Sequence, residues 1–397
     1  MLMSLSGIIF GVSFFVITQA QTSGFQEYFI KTILGTNGAI RISDRFQDME
    51  GTVRKLSQNG NNIYKFQDRE STKYVEGIDY PDKIRNALAA IPSVNGISEI
   101  FEDNAILLTK SKRQSIQFHG IKILNHLLAS DLKAQIVQGS ISNFLSDKMG
   151  IIIGNRIAER LNLKVNDRVN IVGKLENFQL RVSGIFESGI SDIDKKRCYI
   201  SLPTARSLSG KRFGGSIFQV GITAPEKAPQ IAAQIQGTIS HRAVSWQERE
   251  KVWLDVFKAL RISSAITVSS ILLLSGLGMF NVFAIMVIEK TRDISILRSI
   301  GFTRADISSV FLWQGVIVLF LGIIGGIICG VLGTYIVSKI PMKIRGILKS
   351  DSFVVNWDYT HYIWAILIAS VFVGLATWIP ARRAAKIEPA KIIRETL

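Results

Sequence analysis

Four stretches of the chain contain no Asp, Glu, Lys or Arg: Met1–Gln26, Ile262–Ile288, Ile307–Ser338 and Tyr359–Ala381. About 20 apolar residues are enough to cross a bilayer core as a helix, so each stretch predicts one membrane span. Between the first two, Glu27–Arg261 is mixed and polar, a pattern that belongs in water. The chain is therefore predicted to be a membrane protein of four transmembrane α-helices with a large α+β extracytoplasmic domain inserted between spans 1 and 2. In residue numbers, the reading is span one at 1–23, the domain at 24–258, span two with a stalk at 259–288, and a cytoplasmic segment at 289–306. Span three follows at 307–338, a short outer loop at 339–358, span four at 359–380 and a cytoplasmic tail at 381–397.

Local signals refine this outline. Thr18-Gln19-Ala20 would suit a signal-peptide cleavage site, but the stretch has no basic leader and is uncharged over a full bilayer width, which favours a retained span. As a helix at roughly 1.5 Å per residue, the second stretch is about 40 Å long against a core of about 30 Å. It is expected to continue beyond the membrane and join the helical-looking Trp246–Leu260. Gly322, Gly326 and Gly330 recur every four residues in span three and line one helix face where another backbone can approach closely. Packing within the chain and a dimer seam explain that stripe equally well; Gly7 and Gly11 repeat the pattern weakly in span one. Thr303-Arg304-Ala305-Asp306 reads as a capping box that starts the third helix.

Within the polar region, short alternating or continuously apolar runs bounded by turns predict strands at Ala39–Ile42, Asn62–Phe66, Ala105–Thr109, Ser115–Ile123, Gly150–Ile153, Arg168–Val172, Gln179–Phe186, Arg197–Ser201 and Ser216–Ile222. Helices are expected at Asp82–Ala90, Asn155–Leu161, Pro203–Leu208 and Pro229–Gly237, with a division of the domain near residues 110–145. Charge adds direction. Lys290, Arg292, Arg298 and Arg304 lie between spans two and three, and Arg382, Arg383, Lys386, Lys391 and Arg394 follow span four. Lys339, Lys343, Arg345 and Lys349 oppose them from the remaining short loop, so the positive-inside rule places the first two groups in the cytoplasm. The net charge of +16 is spread out, which argues against a nucleic-acid partner and suits solvent or anionic lipid.

Candidate chemistry is sparse. Cys198 and Cys329 fall in different regions and suggest no disulfide framework. His119 and His126 have no ligand partners at metal spacing, and Asp192 and Asp194 read as a solvated turn, so no catalytic or metal site and no cofactor is expected. G-x-x-x-x-G-K-[ST] does not occur, so the chain cannot bind ATP through a P-loop of its own. The segment from Glu289 to Phe302 is amphipathic. Ile294, Leu297, Ile296 and Ile300 lie at helical spacings, Arg292, Asp293 and Arg298 are polar, and Gly301 suits a helix stop. Resting on lipid and docking into a cytoplasmic partner are equally compatible with that pattern.

The run E-K-T-R-D-I-x-I-L-R-x-I-G at Glu289–Gly301 resembles the cytoplasmic coupling segment of the FtsX/MacB/Lol class of ABC-transporter permeases, particularly the lipoprotein-releasing permeases LolC and LolE. Pro380–Ala390 resembles the signature after that family's last span, and Gly150–Gly173 and Val182–Leu202 resemble its MacB-like periplasmic core domain. The resemblance implies a non-catalytic inner-membrane permease that works with a second permease copy or paralogue on a cytoplasmic ABC ATPase dimer. It also implies that Glu289, Arg292, Asp293, Leu297 and Arg298 meet the ATPase, with Gly301 allowing the chain to turn sharply away. The implied function is release of lipoprotein cargo to a periplasmic carrier; an FtsX-like regulator of a cell-wall hydrolase and a MacB-like exporter are the alternatives. The sequence departs from the pattern in two places. The family usually has a basic helix before span one, and the printed sequence opens in the span. Gly173–Phe178 is too short for the hook by which LolC recruits its carrier.

Overall fold

A computed structural model describes residues 2–44, 78, 81–210, 216–239, 241–341 and 352–385. The expected strand Asn62–Phe66, the tail beyond Ala385 and residues 342–351 of the loop after the third span lie outside the described residues. The chain divides into two compact units. One comprises Met1–Tyr28, Asp255–Met342 and Asp351–Leu397, and the other is built on Phe29–Leu254.

The first unit is a helical bundle formed by α1 (Leu2–Asn37), α2 (Lys251–Glu289), the short α3 (Thr291–Ser299), α4 (Arg304–Lys339) and α5 (Thr360–Ala385). All except α3 are long and apolar enough to cross a membrane. Two of them outrun their charge-free stretches. α1 continues to Asn37 because Phe29 and Ile33 bury its last turns, and it stops where Gly38, at φ +64°, donates its N–H to Leu34 O. α2 is one uninterrupted helix from Lys251.

Glycine lets the helices close up. Gly322, Gly326 and Gly330 of α4 face Ile8, Val12 and Val16 of α1, while Gly7 and Gly11 of α1 face Ser275 and Leu272 of α2. A Cβ on Gly326 would lie 2.6 Å from the Val12 Cβ, closer than two carbons can approach. Ile8, Val12, Val16, Leu272, Met279 and Phe283 form the apolar seam. Leu274, Val310, Trp313, Phe320, Ile336 and Trp364 point outward and are exposed, the inside-out arrangement of a bundle solvated by lipid.

The second unit is a ten-stranded sheet whose long strand β2 serves two layers. Its strands are β1 (Ile40–Ser43), β2 (Val94–Leu108), β3 (Arg113–Ile121), β4 (Ile136–Gly139), β5 (Gly150–Gly154), β6 (Arg168–Val172), β7 (Asn177–Phe186), β8 (Arg197–Ser201), β9 (Ser216–Ile222) and β10 (Arg242–Ser245). From β2 the pairing runs through β3, β8, β5, β7 and β6 and returns to β2, so six strands close into a barrel. Alternate residues fill it: Ile116 and Phe118, Ile151 and Ile153, Val169 and Ile171, Leu180 and Val182, Cys198 and Ile200. The first half of β2 pairs instead with β9, and β1 and β10 extend that side. There Ile40, Ile42, Phe218 and Val220 pack with Leu88, Ile231, Ile235 and Trp246.

Several elements differ from the sequence expectation. The division near residues 110–145 is not a break between two sheets, because β2 belongs to both halves. Only the end of β2 reads as a strand in sequence, because Glu99, Glu102 and Asp103 interrupt the alternation. Glu99 is buried all the same, paired with Arg85 at 3.0 Å and Arg206 at 2.8 Å. The turn expected around Asp192–Asp194 is a helix, Ser191–Lys196.

The glycine seam yields a stability prediction. Gly326→Leu should push α4 away from Val12 and cost about 1–3 kcal/mol, the usual penalty for overpacking. Unfolding of the detergent-solubilised chain would register this as a lower melting temperature. An unchanged melting temperature accompanied by loss of a dimer would assign the stripe to a contact between copies instead.

Candidate functional site

The segment between α2 and α4 is short and tightly tied. Lys290 breaks the helix axis after Glu289, yet its N–H still donates to Met286 O at 2.9 Å, and the Thr291 hydroxyl donates to Val287 O at 2.9 Å. α3 then runs for nine residues and is closed by N–H donation from Gly301 to Arg298 O and from Phe302 to Leu297 O. Gly301 has φ +114°, a conformation that side-chain-bearing residues rarely adopt, so the chain can reverse there. The Thr303–Asp306 capping box opens α4: Asp306 N–H donates to Thr303 Oγ1 at 3.2 Å, and Thr303 N–H donates to Asp306 Oδ2 at 2.8 Å.

α3 has two apolar faces rather than one. Ile294 is 3% exposed and belongs to the apolar core that also holds Val287, Ile307 and Phe311, with Ser295 buried beside it. Leu297 is 38% exposed and Ile300 73%, and Ile296 and Phe302 are exposed as well. The sequence pattern groups Ile294 with Leu297, whereas the fold turns the first inward and the second outward. Ile300 and Phe302 widen the outer face.

The charged candidates follow the outer face. Glu289, Arg292 and Asp293 are exposed and Arg298 is half-buried. Lys290 Nζ contacts Asp293 Oδ2 at 2.9 Å, and that hydrogen bond raises the Lys290 pKa above its usual value. An exposed cluster of large apolar side chains rimmed by both signs of charge has the composition of a protein-docking surface. The helix-packing candidates Gly322, Gly326 and Gly330 lie apart from this face, in the α1–α4 seam.

The histidines and Asp194 of the α+β domain are core groups. His119 and His126 are buried on either side of Tyr199, with ring centroids 5.7 and 5.4 Å from it. Burial, reinforced by Arg197, holds His119 well below its usual pKa and lowers His126 to about 3, so both are neutral core side chains. Asp194 is buried and accepts hydrogen bonds from Ser188 N at 2.8 Å and Oγ at 2.7 Å; burial raises its pKa. Among the described residues no group of three His, Cys, Asp or Glu could hold a metal ion.

Comparison with known proteins places both halves. Residues 1–238 match the MacB-like periplasmic core domain and residues 265–389 match the FtsX-like permease C-terminal. The lipoprotein-releasing system transmembrane protein LolC of Neisseria meningitidis serogroup B is 23% identical, over 99% of this chain and 93% of its own length. The uncharacterized ABC transporter permease YknZ of Bacillus subtilis is 22% identical over 99% of this chain and 94% of its own. The crystal structure of the periplasmic region of MacB from Actinobacillus actinomycetemcomitans aligns with a TM-score of 0.34 at 12% identity, covering 57% of this chain and 97% of that one. With its two family regions in this order around four apolar helices, the chain belongs to the FtsX-like ABC transporter permeases with a MacB-like periplasmic core domain, multi-pass membrane subunits that are not themselves catalytic.

Proposed function

We propose that this permease couples ATP hydrolysis by a separate cytoplasmic ATPase dimer to conformational work in its periplasmic domain, and that the work is lipoprotein release from the inner membrane. The observation that carries the coupling role is the division of α3 into a buried Ile294 face and an exposed Leu297–Ile300 face. In this reading Glu289, Arg292, Asp293, Leu297 and Arg298 contact the ATPase, and Ile294 passes its displacement into the bundle core. From there α2 carries the movement, since Lys251–Glu289 is one helix about 60 Å long at roughly 1.5 Å per residue. The lipoprotein assignment rests on the name of the LolC relative and on resemblance at low identity.

A second permease, either another copy or a paralogue, would complete the ATPase-binding pair. One local feature bears on the choice of reading. β6 and β7 are joined by a tight turn in which Gly173 N–H donates to Glu176 O at 3.1 Å, leaving no room for a carrier-recruiting hook. That turn favours the partner permease of a heteromeric pair, and it keeps a MacB-like exporter and an FtsX-like hydrolase regulator as the alternative readings.

Two outcomes are expected. The first concerns topology, with 24–258 outside and 289–306 and 382–397 inside. Ser191 suggests itself as an outer reporter position in sequence but is buried, whereas the neighbouring Asp192 side chain is 82% exposed. Single cysteines at Asp192 and Ser299, in a chain lacking Cys198 and Cys329, should react with an impermeant maleimide in intact cells only at position 192. Labelling at 299 would reverse the assignment.

The second concerns docking. Leu297→Asp places a charge in the proposed contact and should weaken association with the ATPase by about 2–5 kcal/mol, roughly 30-fold or more. The fold should persist because Leu297 points away from the core. Co-purification at matched expression is the measurement, and equal ATPase recovery with both proteins would refute the contact.

A further inference from the structure

Three arginines of the periplasmic domain meet at a partly enclosed cavity of about 60 Å3, lined by Asn37, Arg41, Glu102, His119, Arg197 and Arg249 among others. They arrive from separate elements: Arg41 from β1, Arg197 from the first residue of β8, and Arg249 from the end of the short helix Trp246–Arg249. Asn37 is the last residue of α1 and Arg249 lies two residues before α2, so the cavity joins the end of one long helix to the approach to the next.

The local charges do not balance. Arg41 Nη2 pairs with Glu102 Oε2 at 2.7 Å, and Arg249 Nε pairs with Glu250 Oε1 at 3.2 Å. Arg197 has no carboxylate here; its Nη1 donates to Asn37 Oδ1 at 2.9 Å. Three guanidiniums thus face two carboxylates, with His119 kept neutral by burial and by Arg197. The donors are also underused. Each guanidinium has five N–H groups, of which these contacts occupy a minority. Arg249 Nη1 is buried with no hydrogen-bond partner among the described residues. His119 Nε2, on a side chain 4% exposed, makes no hydrogen bond among the described residues and lies 3.5 Å from Glu102 Oε1. A buried guanidinium donor without an acceptor is costly, and an excess positive charge beside it calls for an anion rather than a neutral guest.

We propose that this cavity is an oxyanion site that takes a phosphate group, either as the free ion or monoester or as the phosphodiester of a lipid head group. Guanidinium forks match phosphate oxygens, and a tetrahedral anion offers oxygens to forks arriving from three directions, whereas a planar carboxylate offers two. The cavity has room for the charged group, and any ester chain would leave through the open side. Occupancy would tie β1, β8 and the end of the short helix Trp246–Arg249 to one ligand.

The test uses the full-length detergent-solubilised chain in phosphate-free buffer at fixed ionic strength. Binding is followed by equilibrium dialysis of inorganic phosphate, glycerol 1-phosphate and glycerophosphoglycerol. One saturable site per chain is expected. Arg197→Gln should weaken it at least about tenfold, equivalent to about 1.4 kcal/mol. Arg197→Lys, which keeps the charge and loses the fork, should fall between and carries the test should the glutamine variant misfold. Lys164→Gln, an exposed cation elsewhere on the domain, should bind like the unaltered chain. Tighter binding of glycerophosphoglycerol than of inorganic phosphate would name a lipid head group as the source, and the reverse order a soluble phosphate. The proposal is overturned by absence of saturable binding, by chloride competing as well as phosphate, or by affinity that both Arg197 variants leave unchanged.

Discussion

The burial of Ile294 is the contact on which the segment between α2 and α4 depends. A nine-residue helix is too short to be stable alone, since helix nucleation is unfavourable and isolated helices below about 12–15 residues are marginal in water. Burying one isoleucine side chain contributes about 1.5–3 kcal/mol, comparable with what such a helix lacks. Because Ile294 shares its core with Val287, Ile307 and Phe311, α3 is held as part of the bundle. Its outward residues are thereby fixed as a consequence, and Leu297 and Ile300 are presented on a supported surface instead of a free loop.

The same logic of shared elements recurs in both units. In the bundle, glycines at every fourth position of α4 bring its backbone against α1, and α1 in turn presents its own glycines to α2. Without a hydrophobic driving force between helices in lipid, such close contact supplies the dispersion that holds them together. In the periplasmic domain β2 belongs to the closed barrel and to the β9–β1–β10 side, so neither layer can shift without the other. The force transmission proposed for this chain would benefit from elements that cannot slip independently.

The sequence discloses the bundle readily because spans are defined by what they exclude, and a charge-free run is visible without knowing any contact. It discloses the barrel in pieces. Val169–Ile171 and Leu180–Val182 alternate cleanly, but the acidic residues of β2 are intelligible only once Arg85 and Arg206 are brought in from distant positions. The segment Glu289–Phe302 is legible as an amphipathic stretch; of its charged residues the structure exposes Glu289, Arg292 and Asp293 and half-buries Arg298. The separation of Ile294 from Leu297 was not legible, since both fit helical spacing and only the position of the core distinguishes inside from outside. The arginine cavity was likewise hidden, its residues being spread from Asn37 to Arg249 with no local motif to join them.

The central claim is that α3 meets the ATPase through its outward face while its inward face stays in the bundle. The most direct measurement is site-specific photo-crosslinking in membranes from cells that also make the ATPase, with a benzoylphenylalanine placed at Leu297 or at Ile285, an exposed position on α2 above the coupling segment. The account predicts an ATPase adduct from position 297 and none from position 285. No adduct from 297, or equal adducts from both positions, would contradict it.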